Sequence, residues 1–383
     1  MSLGDRLAAQ IARSGPISVA EYMTRCLHDP ADGYYATRPA LGEGGDFITA
    51  PGVSQMFGEL IGLWVLETWD RMGRPWPVRL VEMGPGDGAL ISDLLRAARL
   101  LPAFLAAAEL WLVEVSPPLR ALQAQRLAGA APRWVERLAD VPEGAPIILV
   151  ANEVLDCLPA HQFVRTETGW AERVIGLDEH GRLVFGLQGL DPPPKGEVAA
   201  KPTEGEVLHT LRDSPLRPFG PPPPWGEDLA IGALLETSPA QEALGAEIGH
   251  RLATDGGAAL LIDYGRDTPG AGDTLQALRG HVKVSPLDAP GQADLTVWAD
   301  FPAVLAAARA AGAQTGSILT QAVFLGALGI EARAQALAAA RPDQAGKIAR
   351  QLDRLTGADQ MGALFKVACL HAPGLTPPIF EEG

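Results

Sequence analysis

The stretch from Val78 to Gly88, VRLVEMGPGDG, decides the fold of this chain. Its first half is largely apolar, which is typical of a buried strand, and three glycines (Gly84, Gly86 and Gly88) follow at once. Glycine allows a sharp turn and lets the backbone approach a ligand closely. A helix predicted over 89–100 would present free N–H groups at its start. The stretch therefore predicts a strand, a turn and a helix that together bind a nucleotide or nucleoside.

Strand-like and helix-like segments alternate after this turn. Strands are predicted over 110–115, 133–135, 146–150, 258–262 and 364–370. Ser116, with Pro117 behind it, is predicted to cap one of the intervening helices, and residues 331–355 are predicted to form one Ala-rich helix. Parallel strands alternating with helices form an α/β fold with helices on both faces of the sheet.

The chain divides by pattern into four parts. Residues 1–77 are predicted to be an N-terminal helical extension with a long loop, and 78–160 the Rossmann-like core that binds the cofactor. Residues 161–230 are predicted to be an insertion, with short antiparallel strands over 162–166, 172–177 and 183–187 and a Pro-rich stretch after them. The rest of the sheet and the C-terminal helices take up 231–383.

Composition excludes several classes of protein. The 383 residues carry a formal net charge of -15, which argues against nucleic-acid binding and is compatible with a basic peptide partner. Three well-separated Cys and scattered His predict neither a metal site nor a disulfide framework. No apolar run reaches the length of a membrane span, and the N-terminus has no signal-peptide core. We expect a cytoplasmic bacterial protein, and a monomer and a homodimer are both compatible with the sequence.

The glycine turn fits two ligands. Gly84, Gly86 and Ala89 satisfy a dinucleotide pattern, so NAD(P) binding by an oxidoreductase stays open. Glu82 favours S-adenosylmethionine instead, because a carboxylate repels a pyrophosphate and attracts an ammonium and a sulfonium. Glu114, followed by Val115, is placed to accept hydrogen bonds from ribose hydroxyls, which either ligand would offer. The predicted cofactor-binding residues are Glu82, Gly84, Gly86, Asp87, Gly88, Glu114, Val115 and Asn152.

Polar residues follow the fourth predicted strand. Asn152, Glu153 and Asp156 come directly after an apolar run, at the sheet edge where ligands of such folds bind. Carboxylates that hold two nitrogens of a guanidinium leave the third free for a methyl group, and alignment is the main task in methyl transfer. We therefore predict these three as catalytic. Acids in a first helical turn also compensate the helix dipole, so a structural role stays open.

Motifs along most of the chain resemble one family. They include Gly45–Pro51 (GDFITAP), Gln55–Glu59 (QMFGE), Glu82–Gly88 (EMGPGDG), Asn152–Asp156 (NEVLD), Asp263–Gly265 (DYG) and Ala293–Thr296 (ADLT). Together they resemble the MidA-like methyltransferases, the family of a mitochondrial complex I assembly factor that methylates arginine. The resemblance implies a class I, Rossmann-like methyltransferase that uses S-adenosylmethionine. It also implies a protein substrate, with symmetric dimethylation of an arginine on the 49-kDa-type subunit of respiratory complex I.

Further site residues are predicted in a lid and at the end of a later strand. Asp46, Phe47 and Thr49 could close over the cofactor, with Gln55 nearby, although a structural surface loop is the alternative. Asp263 and Tyr264 end a buried strand at the same sheet edge, where Tyr264 either contacts substrate or belongs to the core. A small-molecule methyltransferase and a non-catalytic assembly factor remain alternatives.

Overall fold

A nine-stranded sheet organises the chain in a computed structural model that describes residues 1–37, 49–189 and 229–380. Its strands and those of two smaller sheets are β1 (Ile17–Ser18), β2 (Val78–Met83), β3 (Ala108–Val113), β4 (Arg133–Val135), β5 (Ile147–Asn152), β6 (His161–Thr166), β7 (Gly169–Leu177), β8 (Leu183–Gly189), β9 (Leu234–Thr237), β10 (Gly257–Arg266), β11 (Gln276–Arg279), β12 (Val282–Val284), β13 (Asp294–Thr296), β14 (Ala299–Asp300), β15 (Gln314–Thr315), β16 (Leu319–Thr320) and β17 (Phe365–His371).

Helices surround the central sheet. They are α1 (Leu3–Ser14), α2 (Val19–His28), α3 (Tyr34–Thr37), α4 (Ala50–Val53), α5 (Gln55–Arg71), α6 (Ala89–Ala98), α7 (Pro102–Ala107), α8 (Pro117–Arg126), α9 (Pro239–Asp255), α10 (Phe301–Ala310), α11 (Gln321–Ala327), α12 (Ile330–Ala340), α13 (Ala345–Thr356) and α14 (Met361–Leu364). The Ser54 side chain caps α5 by accepting from the N–H of Met56.

The central sheet is mostly parallel. Its main path runs β15-β17-β10-β5-β2-β3-β4, and the ladders from β10 through β5, β2 and β3 to β4 are all parallel. β17 pairs antiparallel with β10. β5 is buried along its whole length, as expected for a strand covered by helices on both faces. This arrangement brings the carboxyl ends of β2, β3, β5 and β10 to one edge of the sheet.

Two apolar layers cover the faces of this sheet. One contains α5, α6 and the C-terminal helices, with Trp64 and Phe57 fully buried. The other contains α9 and α10, with Phe301 and Leu252 fully buried. Burial of such side chains stabilises each layer by roughly 2 kcal/mol per large residue. The layers hold the sheet rigid, so residues at its carboxyl edge keep fixed positions.

Helices α1 and α2 of the N-terminal extension pack on the smaller sheets, whereas α5 packs on the central one. β1 pairs with β7 in an antiparallel sheet of β1, β6, β7, β8 and β9, and β11, β12 and β13 form a three-stranded antiparallel sheet. A third apolar cluster joins α1 and α2 to both sheets. Antiparallel strands are thus found where the insertion is predicted, but the sheet also takes β1 and β9 from outside 161–230. The four-part division of the chain stays a prediction.

Two local predictions are wrong. The helix predicted over 331–355 is two helices, α12 and α13, because Pro342 lacks an N–H donor and starts a 3-10 turn between them. Ser116 occupies the cap position of α8 but its side chain accepts no capping hydrogen bond. A capping side chain bonds the second or third helical N–H, and Pro118 removes the second.

Within residues 1–37, 49–189 and 229–380, no single helix has the length and apolarity to cross a membrane, although the bent pair α11 and α12 passes that test together by length and composition. In the same part of the chain, no three His, Cys, Asp or Glu side chains are arranged to hold a metal ion.

Candidate active site

The glycine turn between β2 and α6 adopts a backbone that other residues rarely adopt. Gly84, Gly86 and Gly88 have φ values of 60°, 55° and 81°, in the left-handed region that favours glycine. A Cβ on Gly84 would lie 2.9 Å from Cγ2 of Val154, in the segment after β5. The glycines therefore permit both the turn and the close approach of the β2 and β5 ends.

Glu82 lies beneath this turn with an unsatisfied oxygen. Its side chain is 2% exposed, and Oε2 has no hydrogen-bond partner among the described residues. Burial, reinforced by the charges of Asp87 and Glu114, raises the pKa of Glu82 to about 8. A buried carboxyl without a full set of partners is costly, so this position suits a ligand that brings a donor or a positive charge.

Glu114 is held in place at the end of β3. Its Oε1 accepts from the N–H of Ser116 at 2.8 Å, and its Oε2 accepts from Nε2 of Gln123 at 3.1 Å. Burial raises the pKa of Glu114 although these hydrogen bonds oppose the rise. Each carboxylate oxygen can accept a second hydrogen bond, so a ribose hydroxyl can still be bound. The adjoining Val115 is 56% exposed.

Asp87 stabilises the turn from outside. Its Oδ1 accepts from the N–H of Ala89 at 3.0 Å, and its Oδ2 forms an ion pair with Arg126 at 3.0 Å. The first contact satisfies an N–H at the start of α6, where a negative charge is also favoured by the helix dipole. Asp87 therefore acts on the shape of the turn and on the electrostatics of Glu82.

Asn152 and Glu153 mark the carboxyl end of β5. Asn152 is 9% exposed; its Nδ2 donates to Oε1 of Glu153 at 3.0 Å, while its Oδ1 has no partner among the described residues. Glu153 has a φ of 55°, a conformation rare for a side chain of this size. Part of its surface stays exposed, yet burial and the charge of Asp156 raise its pKa to about 8. The end of β5 therefore carries a carboxyl that is mostly protonated at neutral pH, next to a residue whose amide oxygen has no partner among the described residues.

Two residues of β10 hold Asp156 by hydrogen bonds. The hydroxyl of Tyr264 donates to Oδ2 of Asp156, and the carboxylate of Asp263 accepts from the N–H groups of Leu155 and Asp156 at 2.9 and 3.2 Å. Burial raises the pKa of Asp156 to about 6, against the effect of the Tyr264 hydrogen bond, and burial likewise raises that of Asp263 well above its usual range. Asp263 thus supports the turn itself, and Tyr264 contacts a predicted catalytic residue.

The predicted lid residues are brought to the site only in part. Thr49 is the cap residue of α4 without a capping side-chain bond, and the N–H of the next residue, Ala50, donates to Oε1 of Glu153 at 3.4 Å. Gln55 is exposed and its Nε2 donates to Glu59 at 3.2 Å, so it does not join the cluster. Asp46 and Phe47 lie outside the described residues, as does the Pro-rich stretch from Leu190 to Trp225.

Three residues at the site were not among the predicted site residues, although one of them, Asp294, lies in the ADLT motif. Gln123 is fully buried and its Nε2 donates to the carbonyl of Gly86 at 2.7 Å; a polar residue four positions after buried Leu119 was the available signal. The hydroxyl of Tyr35 donates a hydrogen bond of 2.9 Å to Asp294. The charge of Asp294 contributes to the raised pKa of Glu153. No local pattern connects residues that lie 259 positions apart.

A family model decides between the two cofactors. The family described as S-adenosyl-L-methionine-dependent methyltransferases matches residues 60–319. The chain belongs to this family. A crystal structure from Burkholderia thailandensis with bound S-adenosyl-homocysteine has a TM-score of 0.78 to this methyltransferase, with 28% identity over 98% of this chain and 92% of that one. The class I, Rossmann-like methyltransferase fold and S-adenosylmethionine as cofactor are therefore confirmed, and the NAD(P) alternative is set aside.

Curated relatives align with nearly the whole length of this methyltransferase. The protein named "Protein arginine methyltransferase NDUFAF7, mitochondrial" of Danio rerio is 35% identical, over 95% of this chain and 86% of its own length. Its namesake in Homo sapiens is 34% identical, over 95% of this chain and 82% of its own length. These relatives are mitochondrial proteins, so the expected bacterial, cytoplasmic location is wrong.

The residues under the glycine turn fit S-adenosylmethionine. Glu82 offers an unsatisfied buried oxygen to a cationic ligand, Glu114 offers a carboxylate to ribose hydroxyls, and a side chain at Gly84 would fill the space where the turn meets the segment after β5. These residues would hold the cofactor, and Asn152, Glu153 and Asp156 lie at the adjoining sheet end.

Proposed function

We propose that this methyltransferase methylates arginine in a protein substrate. The observation that carries the proposal is a group of carboxyls without a cation, of which Asp156 and Asp263 are buried and Glu153 is partly exposed. Among the described residues, no Lys or Arg forms an ion pair with Glu153, Asp156 or Asp263, and burial raises the pKa of all three. Buried charges require pairing or protonation, so this site is built to receive a positive group. The names of the relatives at 34–35% identity point to the same acceptor.

A guanidinium suits these groups better than an ammonium does. It is planar, carries five N–H donors in a fixed fork and stays charged at any physiological pH. Glu153, Asp156 and the free Oδ1 of Asn152 supply acceptors at one place. Binding a fixed cation lowers the pKa of each carboxyl, so arginine entry releases protons and leaves ionised acceptors around the guanidinium.

The reaction needs orientation and one proton acceptor. When bound, S-adenosylmethionine supplies a methyl group whose bond to sulfur breaks with the electron pair left on sulfur, while an arginine nitrogen forms the new bond and gives up a proton. Glu153, ionised once the guanidinium is bound, is the acceptor of that proton, and its carboxylate is free to take it because no Lys or Arg among the described residues pairs with it. Asn152 orients Glu153 through the 3.0 Å hydrogen bond, and Tyr264 orients Asp156.

The finer assignment is symmetric dimethylation of an arginine on the 49-kDa-type subunit of respiratory complex I. The family motifs in this sequence support it. The acidic balance of the chain, a formal net charge of -15, suits a basic segment of a protein substrate. Membership in a complex I assembly pathway belongs to the same proposal.

The test is a methyl-transfer assay with labelled S-adenosylmethionine and a purified 49-kDa-type subunit. Mass spectrometry of the product should find symmetric dimethylarginine at one position. Glu153→Gln should lose methylation by at least about a hundredfold while it still binds the cofactor. Glu179→Gln, which alters an 85% exposed side chain, is the matched control and should keep full activity.

Each alternative predicts another result. Label that enters only small molecules of a cell extract would identify a small-molecule methyltransferase. A wild-type chain that binds the subunit and transfers no methyl group would identify a non-catalytic assembly factor. Either result contradicts the proposed function, provided that the chain binds S-adenosylmethionine in the same preparation.

A further inference from the structure

Strand β13 lies beside the turn that carries the predicted catalytic residues. The N–H of Val297, just after β13, donates to the carbonyl of Asp156 at 2.9 Å. Asp294, the first residue of β13, is 2% exposed, and the neighbouring Leu295 and Val297 belong to the same apolar cluster as Ala160. The three-stranded sheet is therefore attached to the end of β5, with a buried carboxylate close to that junction.

The N-terminal extension fixes this carboxylate. The hydroxyl of Tyr35 donates to Oδ1 of Asp294 at 2.9 Å. The ring of Tyr35 stacks on His28 with centroids 5.9 Å apart and meets Tyr34 edge to face at 5.2 Å. Tyr34 is fully buried, so the ring of Tyr35 rests on a fixed partner. The hydroxyl therefore has a defined position from which to orient Asp294.

A separate observation indicates that a ligand enters between these groups. Asn152 is nine-tenths buried, its Nδ2 points to Glu153, and its Oδ1 has no partner among the described residues. A buried acceptor without a donor is uncommon in folded proteins and calls for one from a ligand. The charge of Asp294 also raises the pKa of Glu153, so the two carboxyls are close enough to interact.

We propose that Asp294 binds the substrate guanidinium opposite Glu153, and that Tyr35 is the positioning residue that holds Asp294 there. The inference rests on the proposed arginine methyl transfer and extends it to the acceptor site. It gives the N-terminal extension a function: α2 and α3 deliver the aromatic group that orients one wall of the site. Charge-assisted hydrogen bonds to two carboxylates fix the plane of the guanidinium, which a single carboxylate does less well.

The test compares Asp294→Asn and Tyr35→Phe with wild type in steady-state assays on an arginine substrate. Asp294→Asn should raise KM for the substrate by about tenfold or more, because one charge-assisted contact is lost. Tyr35→Phe should raise KM by about threefold to tenfold and leave kcat within about twofold, since Asp294 itself remains. Calorimetry should find the affinity for S-adenosylmethionine unchanged in both.

Tyr22→Phe is the matched control. Tyr22 belongs to the same extension, is fully buried, and donates its hydroxyl to the carbonyl of Pro286 at 2.7 Å, so its loss reports on structural damage alone. Its KM should stay at the wild-type value. If Tyr35→Phe and Tyr22→Phe have the same effect, the positioning role is wrong.

Two outcomes separate this inference from the proposed function. Wild-type methylation of arginine together with an unchanged KM in Asp294→Asn would overturn the role of Asp294 and leave the proposed function standing. A wild-type chain that binds the cofactor and methylates no arginine would overturn both. Should Asp294→Asn fail to fold, the KM of Tyr35→Phe against that of Tyr22→Phe decides.

Discussion

Tyr264 donates its phenolic hydrogen to the carboxylate of Asp156, a residue 108 positions earlier in the chain. The two meet because β10 pairs with β5 in parallel, with Ile262 opposite Asn152. Asp263, the residue before Tyr264, accepts two N–H groups from the same turn. Consecutive residues in the last half of β10 therefore hold the backbone and a side chain of the neighbouring turn, which orders the site before a ligand arrives.

Tyr264→Phe should shift the acid limb of the pH profile of kcat/KM to higher pH. The hydrogen bond from Tyr264 lowers the pKa of Asp156, which burial otherwise raises, so its removal lets the pKa rise above about 6. An ionised Asp156 is then reached only at higher pH. The measurement is kcat/KM between about pH 5 and 9, a range that includes the pKa of Asp156.

The ring contact of Tyr264 is preserved in this variant. Phe keeps the edge-to-face packing on Phe365, where the centroids are 5.4 Å apart. Leu at the same position removes both ring and hydroxyl and should also reduce stability. An acid limb that stays in place in Tyr264→Phe would contradict a role for Asp156 in its ionised form.

Gly84→Ala should damage both folding and cofactor binding. The left-handed φ of 60° costs an alanine roughly 1–2 kcal/mol, and the new Cβ would lie 2.9 Å from Val154. Relief of that contact moves the turn, so affinity for S-adenosylmethionine should fall more than about tenfold. Gly129→Ala is the control, because a Cβ there meets nothing within 4 Å. Calorimetry and denaturant unfolding measure the two effects, and equal behaviour of both variants would refute the close-approach argument.

Glu82 makes the stability of the ligand-free protein depend on pH. Its pKa rises from 4.5 to about 8 on folding, so the folded state holds a proton that the unfolded chain has released. This stability is present below about pH 4.5 and is lost as pH rises toward 8, with a slope of up to about 1.4 kcal/mol per pH unit. Glu82→Gln should flatten the decline in Tm between pH 6 and 8, and a slope equal to wild type would contradict the assignment.

Asp87 provides an independent check on that pH dependence. Its charge raises the pKa of Glu82, so Asp87→Asn should lower that pKa and end the loss of stability at a lower pH. The variant also loses the ion pair with Arg126, an exposed contact that contributes about 1 kcal/mol or less. Loss of this ion pair lowers the free energy of unfolding by the same amount at every pH between about 6 and 8. The titration of Glu82 instead changes how the free energy of unfolding varies with pH.

Local sequence patterns predict the central sheet well and the smaller sheets poorly. VRLVEM before the glycine turn becomes β2, and the apolar run before Asn152 becomes β5, since continuous apolar segments have one stable location, inside the sheet. β11, β12 and β13 were not predicted, because three short strands with mixed polarity carry no period. Their position depends on packing against α2, which is far away in sequence.

The candidate site follows the same division. Glu82, Glu114 and Glu153 can be chosen from sequence because each lies close to the carboxyl end of a predicted strand. Asp294 cannot, because its place at the site depends on Tyr35 and on a backbone hydrogen bond to Asp156. Contacts between separate parts of the chain are fixed by tertiary packing, which a linear pattern does not contain.

Gln123→Leu should loosen the cofactor site through a residue that only supports it. The amide of Gln123 donates to the carbonyl of Gly86 at 2.7 Å and accepts from Nε1 of Trp134 at 2.8 Å. Leucine of similar volume leaves those partly buried groups without their partner, which costs up to about 1–3 kcal/mol for each. The free energy of unfolding should therefore fall by about 2–4 kcal/mol and the affinity for S-adenosylmethionine by about tenfold.

Gln125→Leu is the control for this variant, since Gln125 is exposed on the same helix, α8. Denaturant unfolding and calorimetry on the two variants separate the buried amide from a general effect of leucine in α8. If Gln123→Leu binds the cofactor as tightly as wild type while it unfolds more easily, the glycine turn keeps its shape through its own backbone angles. The hydrogen bonds from Gln123 to Gly86 and to Glu114 would then stabilise the fold without contributing to cofactor binding.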